Sequence, residues 1–81
     1  MQNTYEFVVY SNCPVDHLPD AYFCSLVSKG TIPVETILEL CQSYKTIEVY
    51  QEDIAINLAR LTGCKVVLTG YHSGIKVISE A

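Results

Sequence analysis

The run of β-forming residues near the start of the chain, from Thr4 to Ser11, is the feature that most constrains the fold. Its apolar side chains are nearly continuous and many are aromatic or β-branched, which is typical of a strand covered on both faces. The segment Asn12-Cys13-Pro14 ends this run. A covered strand needs partner strands and a helical layer, so the sequence predicts a sheet with helices packed against it.

Three later segments show the spacing of amphipathic helices. Leu18, Tyr22 and Leu26 follow one another at intervals of four residues, which predicts a helix over 16–30 that ends at a glycine. A second helix is expected to begin at residues 31–33, and a third is expected over 52–63, again closed by a glycine.

The remaining β-forming segments complete the predicted architecture. Thr46–Tyr50 alternates like a short strand, and Lys65–Thr69 with Ile75–Ser79 is typical of a hairpin with a loop of about five residues. The resulting order is β-α-α-β-α-β-β. We therefore expect one small domain, residues 1–81, of the α/β or α+β class, with two or three helices on a four-stranded mixed sheet.

Charge is scarce in this chain and excludes several functions. Only 17% of the residues are charged, the net charge is −4, and the cationic side chains are spread singly. A protein that follows nucleic-acid phosphates, or binds an anionic membrane, needs a basic patch. The first residues lack the basic and apolar regions of a leader peptide, so the sequence predicts a cytoplasmic protein without direct nucleic-acid or membrane contact.

The six tyrosines favour contact with another protein, because interfaces are enriched in tyrosine and depleted in charge. The leading hypothesis is a small acidic, non-enzymatic binding module that modulates or inhibits another macromolecule. A homo-oligomeric structural protein is an alternative with the same composition. The expected interface residues are Tyr10, Tyr44, Tyr50, Tyr71, Ile75, Val77, Glu48, Glu52 and Asp53.

The last strand is expected to form an exposed edge of the sheet. Its apolar run Ile75–Ile78 carries one charge, Lys76, which is little protection against pairing with another chain. This predicts a homodimer that pairs through the C-terminal strand.

Cys13-Pro14, at the end of a strand and ahead of a predicted helix, is the candidate for chemistry. In layout and in this dipeptide the chain resembles glutaredoxin- and thioredoxin-like proteins, which implies a thiol-dependent redox protein that uses Cys13. Asp16 stands where that family has its second cysteine, and Lys65 where it has a proline. Thioredoxin-like topology and Cys13 chemistry remain alternatives to the binding module.

No other group of residues in the sequence has a spacing that predicts a cofactor site, a metal site or a catalytic site. Cys13, His17 and Cys24 contain one close pair, whereas a zinc site takes four ligands in close pairs. His72 and Ser73 are neighbours in the predicted hairpin loop, where we expect exposed side chains rather than a base and a nucleophile.

Overall fold

A computed structural model describes residues 1–81 as one antiparallel sheet with two helices. The predicted class, a small α+β domain with a four-stranded sheet and helices, is confirmed. The strands lie in the order β1-β2-β3-β4, and both helices are inserted between β2 and β3. The elements are β1 (Asn3–Asn12), β2 (Pro19–Ser28), α1 (Val34–Tyr44), α2 (Gln51–Thr62), β3 (Lys65–His72) and β4 (Ile75–Glu80).

The segment expected to be the first helix is strand β2. It pairs with β1 along its whole length, from Asn12 opposite Pro19 to Asn3 opposite Ser28. A spacing of four residues fits both a helix and the period of two of a strand. The burial of Cys24 distinguishes the two structures. Tyr22, Cys24 and Leu26 are all buried, and residues at intervals of two lie on one face only in a strand. The thioredoxin-like order is therefore wrong, since a strand follows Cys13-Pro14.

The segment expected to be the second strand forms a single bridge. Glu48 pairs in parallel with Asn12 at the end of β1, and the chain then enters α2. All pairings between the named strands are antiparallel, so the sheet is not mixed.

The hairpin of β3 and β4 is tighter than predicted. His72 pairs with Ile75, which leaves only Ser73 and Gly74 in the turn. Both turn residues have positive φ, 52° and 82°, as the two-residue turns of hairpins require. The strands thus extend into the segment expected to be a loop.

The core lies between the helices and one face of the sheet. Ile54, Ala55 and Leu58 of α2 are buried, as their spacing predicts. Tyr44 is also buried, at 5% exposure, so its ring packs in the core and is not available as the interface residue that was expected. The other buried apolar side chains are Val9, Tyr22, Cys24, Leu26, Ile37, Val66 and Leu68.

The opposite face of the sheet carries no helix. Phe23, Tyr10, Tyr71 and Ile78 on this face are each more than half exposed. Neither helix is long and apolar enough to cross a lipid bilayer.

Candidate functional site

Backbone hydrogen bonds hold Cys13 at the start of the loop that joins β1 to β2. Its N–H donates to the carbonyl oxygen of Leu18 at 2.8 Å, and its carbonyl oxygen accepts from the N–H of His17 at 2.8 Å. His17 has a φ of 63°, a left-handed conformation that is uncommon for residues other than glycine. These bonds keep Cys13 close to the first residues of β2.

The Cys13 loop is also connected to the segment that precedes α2. Asn12 makes backbone hydrogen bonds of 2.9 and 3.1 Å to residues 47–49. In addition, Nδ1 of His17 lies 2.7 Å from Oε1 of Glu48. Because α2 begins at Gln51, these contacts bring its first turn close to the Cys13 loop.

A pocket of about 220 Å³ lies between the Cys13 loop, the first turn of α2 and the sheet. Its functional lining groups are one thiol, two carboxylates, one imidazole and one amide, namely Cys13, Asp20, Glu52, His72 and Gln51. Tyr22, Pro14, Val15, Val49, Tyr50 and Val77 complete the lining. Five separate segments of the chain therefore contribute side chains to one concave site.

A second hollow, of about 270 Å³, adjoins this pocket. Cys13, Asp20 and His72 border both hollows, whereas Asp16 and Tyr71 border only the second. The thiol, one carboxylate and the imidazole thus lie at the boundary of the two spaces. A nucleophile, an acid or base, and a second base can all face one bound molecule there.

Asp20 is held by Tyr22. The phenol hydroxyl of Tyr22 donates to Oδ2 of Asp20 at 3.1 Å. Burial, followed by the Asp20 carboxylate, raises the pKa of Tyr22 above its ordinary value of 10.0, so the phenol stays a donor. The ring of Tyr22 lies over Gly70, where a Cβ would come within 2.4 Å of its Cδ1 atom. Residue 70 therefore has to be glycine, because the ring of Tyr22 occupies the space that a side chain would need.

Asp16 stabilises the loop from its exposed position. Its Oδ1 accepts from the N–H of Leu18 at 3.0 Å. This hydrogen bond is the main cause that lowers the pKa of the Asp16 carboxyl, and the Cys13 thiol and His17 contribute less. Asp16 is therefore an ionised loop residue beside the thiol.

The expectation that His72 is an exposed loop residue is wrong. It belongs to β3, is half-buried, and its Nε2 lies 2.7 Å from Oε1 of Gln51. The ring centroids of His72 and Tyr22 are 5.9 Å apart. The imidazole therefore has two defined neighbours inside the pocket.

Three other hollows on the surface lack this combination of groups. The two of about 340 Å³ and the one of about 440 Å³ are larger, yet none of them contains a histidine. No cluster of three or more His, Cys, Asp or Glu side chains is arranged to hold a metal ion, and Cys24 of the candidate trio is buried in the core.

The residues expected at an interface separate into three groups. Tyr50, Glu52, Tyr71 and Val77 line the two hollows around Cys13. Tyr10, Ile75, Glu48 and Asp53 are exposed elsewhere, and Tyr44 is buried. Contact of the exposed residues with a second protein stays a prediction.

Sequence reasoning missed Asp20, Gln51 and His72 as members of one site. A strand assignment for β2 would have found Asp20, because a hairpin brings the residues on either side of its loop together. Gln51 and His72 carried no local signal, since their contact joins the start of α2 to the end of β3.

Comparison with known proteins gives one informative likeness. No family model and no curated protein matches the sequence. The crystal structure of the archaeosine synthase QueF-Like in the apo form shares the fold, with a TM-score of 0.86 and 19% identity. The match covers 99% of this chain and 90% of that chain. It establishes the fold across the whole domain.

The hypothesis of a non-enzymatic binding module that inhibits another macromolecule is contradicted by this likeness. A structure that shares the fold from end to end is that of an enzyme. The low charge and the tyrosines led to the wrong class because composition records residue types and not their arrangement. In the fold, several of the same residues surround a pocket that holds a thiol.

Proposed function

We propose that this protein is a nucleotide-modification enzyme of the archaeosine synthase kind, with Cys13 as its nucleophile. The observation that carries the proposal is the pocket in which Cys13, Asp20 and His72 meet the first turn of α2. The likeness to archaeosine synthase supports the substrate class, because the fold that builds the pocket is shared over 99% of the chain.

In the proposed step, the sulfur of Cys13 adds to an unsaturated carbon of the substrate. A carbon–sulfur bond forms, and the electron pair displaced from the carbon goes to the heteroatom bonded to it. The thiol proton passes to a base in the pocket, and that base returns it to the heteroatom, while the carboxylate of Asp20 stabilises the protonated base. The sum is addition of S–H across the unsaturated bond.

Glu52 is proposed to bind the heterocyclic base. A carboxylate accepts hydrogen bonds from ring or exocyclic N–H groups of a base. Glu52 lies in the first turn of α2, whose N-terminus has no side-chain cap, so backbone N–H groups there remain able to donate. One edge of a planar base can therefore find both acceptors and donors at this end of α2.

The experiment is an assay of archaeosine formation, in which the protein replaces archaeosine synthase and nucleosides are quantified by mass spectrometry. Cys13→Ala should abolish product, and Cys64→Ala should retain it, because Cys64 is half-buried and does not line the pocket. Product formed equally by both variants would contradict the role of Cys13.

The role of Glu52 has its own matched control. Asp53 is the next residue in the same first turn but does not line the pocket. Both carboxylates interact with the helix dipole in the same way. Glu52→Gln should therefore raise KM by about tenfold or more, as expected for a lost charged hydrogen bond, whereas Asp53→Asn should leave KM unchanged.

A cytoplasmic location is part of the proposal. All four cysteines are free in the structure. A thiol nucleophile has to remain reduced, and the cytosol keeps thiols in that state.

A further inference from the structure

Gln51 is a buried amide whose orientation is fixed by its own donors. Its side chain is 2% exposed. The Nε2 atom lies 2.9 Å from the carbonyl oxygen of Leu68 and 2.9 Å from that of Val77. An amide nitrogen has two hydrogens, and both are donated to these carbonyls. The opposite orientation would set the amide oxygen against two acceptors, so Oε1 must be the atom that faces His72.

This orientation decides the tautomer of His72. Oε1 of Gln51 can only accept, and it lies 2.7 Å from Nε2 of His72. Nε2 therefore carries the hydrogen. In a neutral imidazole the other nitrogen, Nδ1, then has a free lone pair. Nδ1 makes no hydrogen bond within the chain, and His72 lines both hollows that border Cys13.

We infer that His72 is the general base that receives the thiol proton of Cys13 at Nδ1, and that Gln51 is the residue that positions it. This inference rests on the proposed function, because it supplies the base which the attack of the sulfur requires. The arrangement has the logic of a nucleophile, a base and an orienting group. Here the orienting group is a neutral amide.

The proton balance is complete within the pocket. The S–H bond of Cys13 breaks, its electron pair remains on sulfur, and the proton bonds to Nδ1. The resulting imidazolium keeps its Nε2–H bond to Gln51, so the ring does not have to turn. The carboxylate of Asp20 borders the same two hollows and lies where it can stabilise the cation.

The test measures alkylation of Cys13 by iodoacetamide at pH 7, which needs no substrate of the enzyme. Each cysteine is followed by peptide mass spectrometry, and Cys64 serves as an internal control. His72→Gln should lower the rate at Cys13 by about a hundredfold, the lower end of the range for a lost general base, with the rate at Cys64 unchanged. The glutamine can still donate a hydrogen bond to Gln51, but it cannot accept a proton at neutral pH.

A second variant separates a base from a structural residue. His72→Ala should also slow alkylation of Cys13, and added imidazole should restore a large part of the rate. Both variants are checked for folding by circular dichroism and thermal unfolding. If the His72 ring had only a packing role, added imidazole would not restore the alkylation rate of Cys13 in His72→Ala.

The outcomes distinguish this inference from the proposed function. An undiminished rate at Cys13 in folded His72→Gln would overturn the role of His72 and leave Cys13 as the nucleophile. A full rate in His72→Gln with loss only in His72→Ala would likewise assign the imidazole a structural role. If Cys13 in the unmodified protein reacts no faster than Cys64, both the inference and the proposed nucleophile are wrong.

Discussion

The phenol of Tyr22 donates a 3.1 Å hydrogen bond to Asp20, at the edge of the pocket that contains Cys13. This bond joins the core to the site, because Tyr22 is 2% exposed whereas Asp20 is only half-buried. A change at one residue should therefore alter both stability and chemistry.

Tyr22→Phe removes the donor and keeps the buried ring. We expect a loss of about 1.5 to 3 kcal/mol in unfolding free energy, the range for a hydrogen bond to a charged group. The product-forming rate should fall as well, because Asp20 loses its partner. Urea denaturation and the archaeosine assay measure the two effects. The control, Tyr71→Phe, alters an exposed phenol and should change stability by less than about 0.5 kcal/mol.

Gly70 should not tolerate a side chain. A Cβ there would lie 2.4 and 2.6 Å from two ring atoms of Tyr22 and 3.0 Å from Oε1 of Gln51. Gly70→Ala is therefore expected to cost about 1 to 3 kcal/mol, as overpacking does, and to displace both neighbours. Gly30→Ala is the matched control, because its Cβ would meet no atom within 4 Å. Equal stability of the two variants in urea would contradict the close approach.

Alkaline pH should destabilise the protein through the buried thiol of Cys24. Burial raises its pKa from 9.0 to about 12, and nearby Cys41 adds to the shift. The raised pKa favours the neutral thiol in the folded state, so this contribution is complete below pH 9 and is lost as the pH rises toward 12.

Cys24→Val, which cannot ionise, isolates this effect. Between pH 9 and 11 the unfolding free energy of the native protein should fall more steeply than that of the variant, by up to about 1.4 kcal/mol per pH unit. Denaturant titrations at several pH values provide the measurement. Parallel curves for the two proteins would show that Cys24 does not contribute.

The free edge of β4 is proposed as the surface through which two copies pair. The double hydrogen bond between Val66 and Ala81 fixes the register, so Val77 points its N–H toward β3 and Ile78 points its N–H outward. Ile78→Pro should therefore remove an outward donor and yield a monomer while the sheet is retained.

Light scattering after size exclusion measures this prediction. The exposed side-chain change Ile78→Thr preserves the backbone donor and is the control. A mass unchanged by proline at residue 78 would refute pairing through β4, and so would a monomeric starting protein.

The fold class can be predicted from composition and from the periodicity of apolar residues. The order of helices and strands along the chain cannot, because some apolar spacings fit both kinds of element. Ile54, Ala55 and Leu58 mark α2 because their spacing fits only a helix. Leu18, Tyr22 and Leu26 fit a helix and a strand equally, and the burial of Cys24 between them becomes decisive only in the folded chain.

The site was predictable only in part. Cys13-Pro14 after a strand indicated thiol chemistry, but the partners of Cys13 come from β2, α2 and β3. Gln51 and His72 meet because residues 47–49 pair with Asn12 at the end of β1, and this pairing places the start of α2 beside the sheet. Such long-range contacts leave no local pattern in the residues that make them.

The most direct test of the central claim is the intact mass of the protein, followed by peptide mapping, during the archaeosine-forming reaction. The account predicts a substrate-sized adduct on Cys13 that is absent from Cys13→Ala, together with loss of product in that variant. Product formation by Cys13→Ala at the rate of the unmodified protein, with no adduct on Cys13, would contradict it.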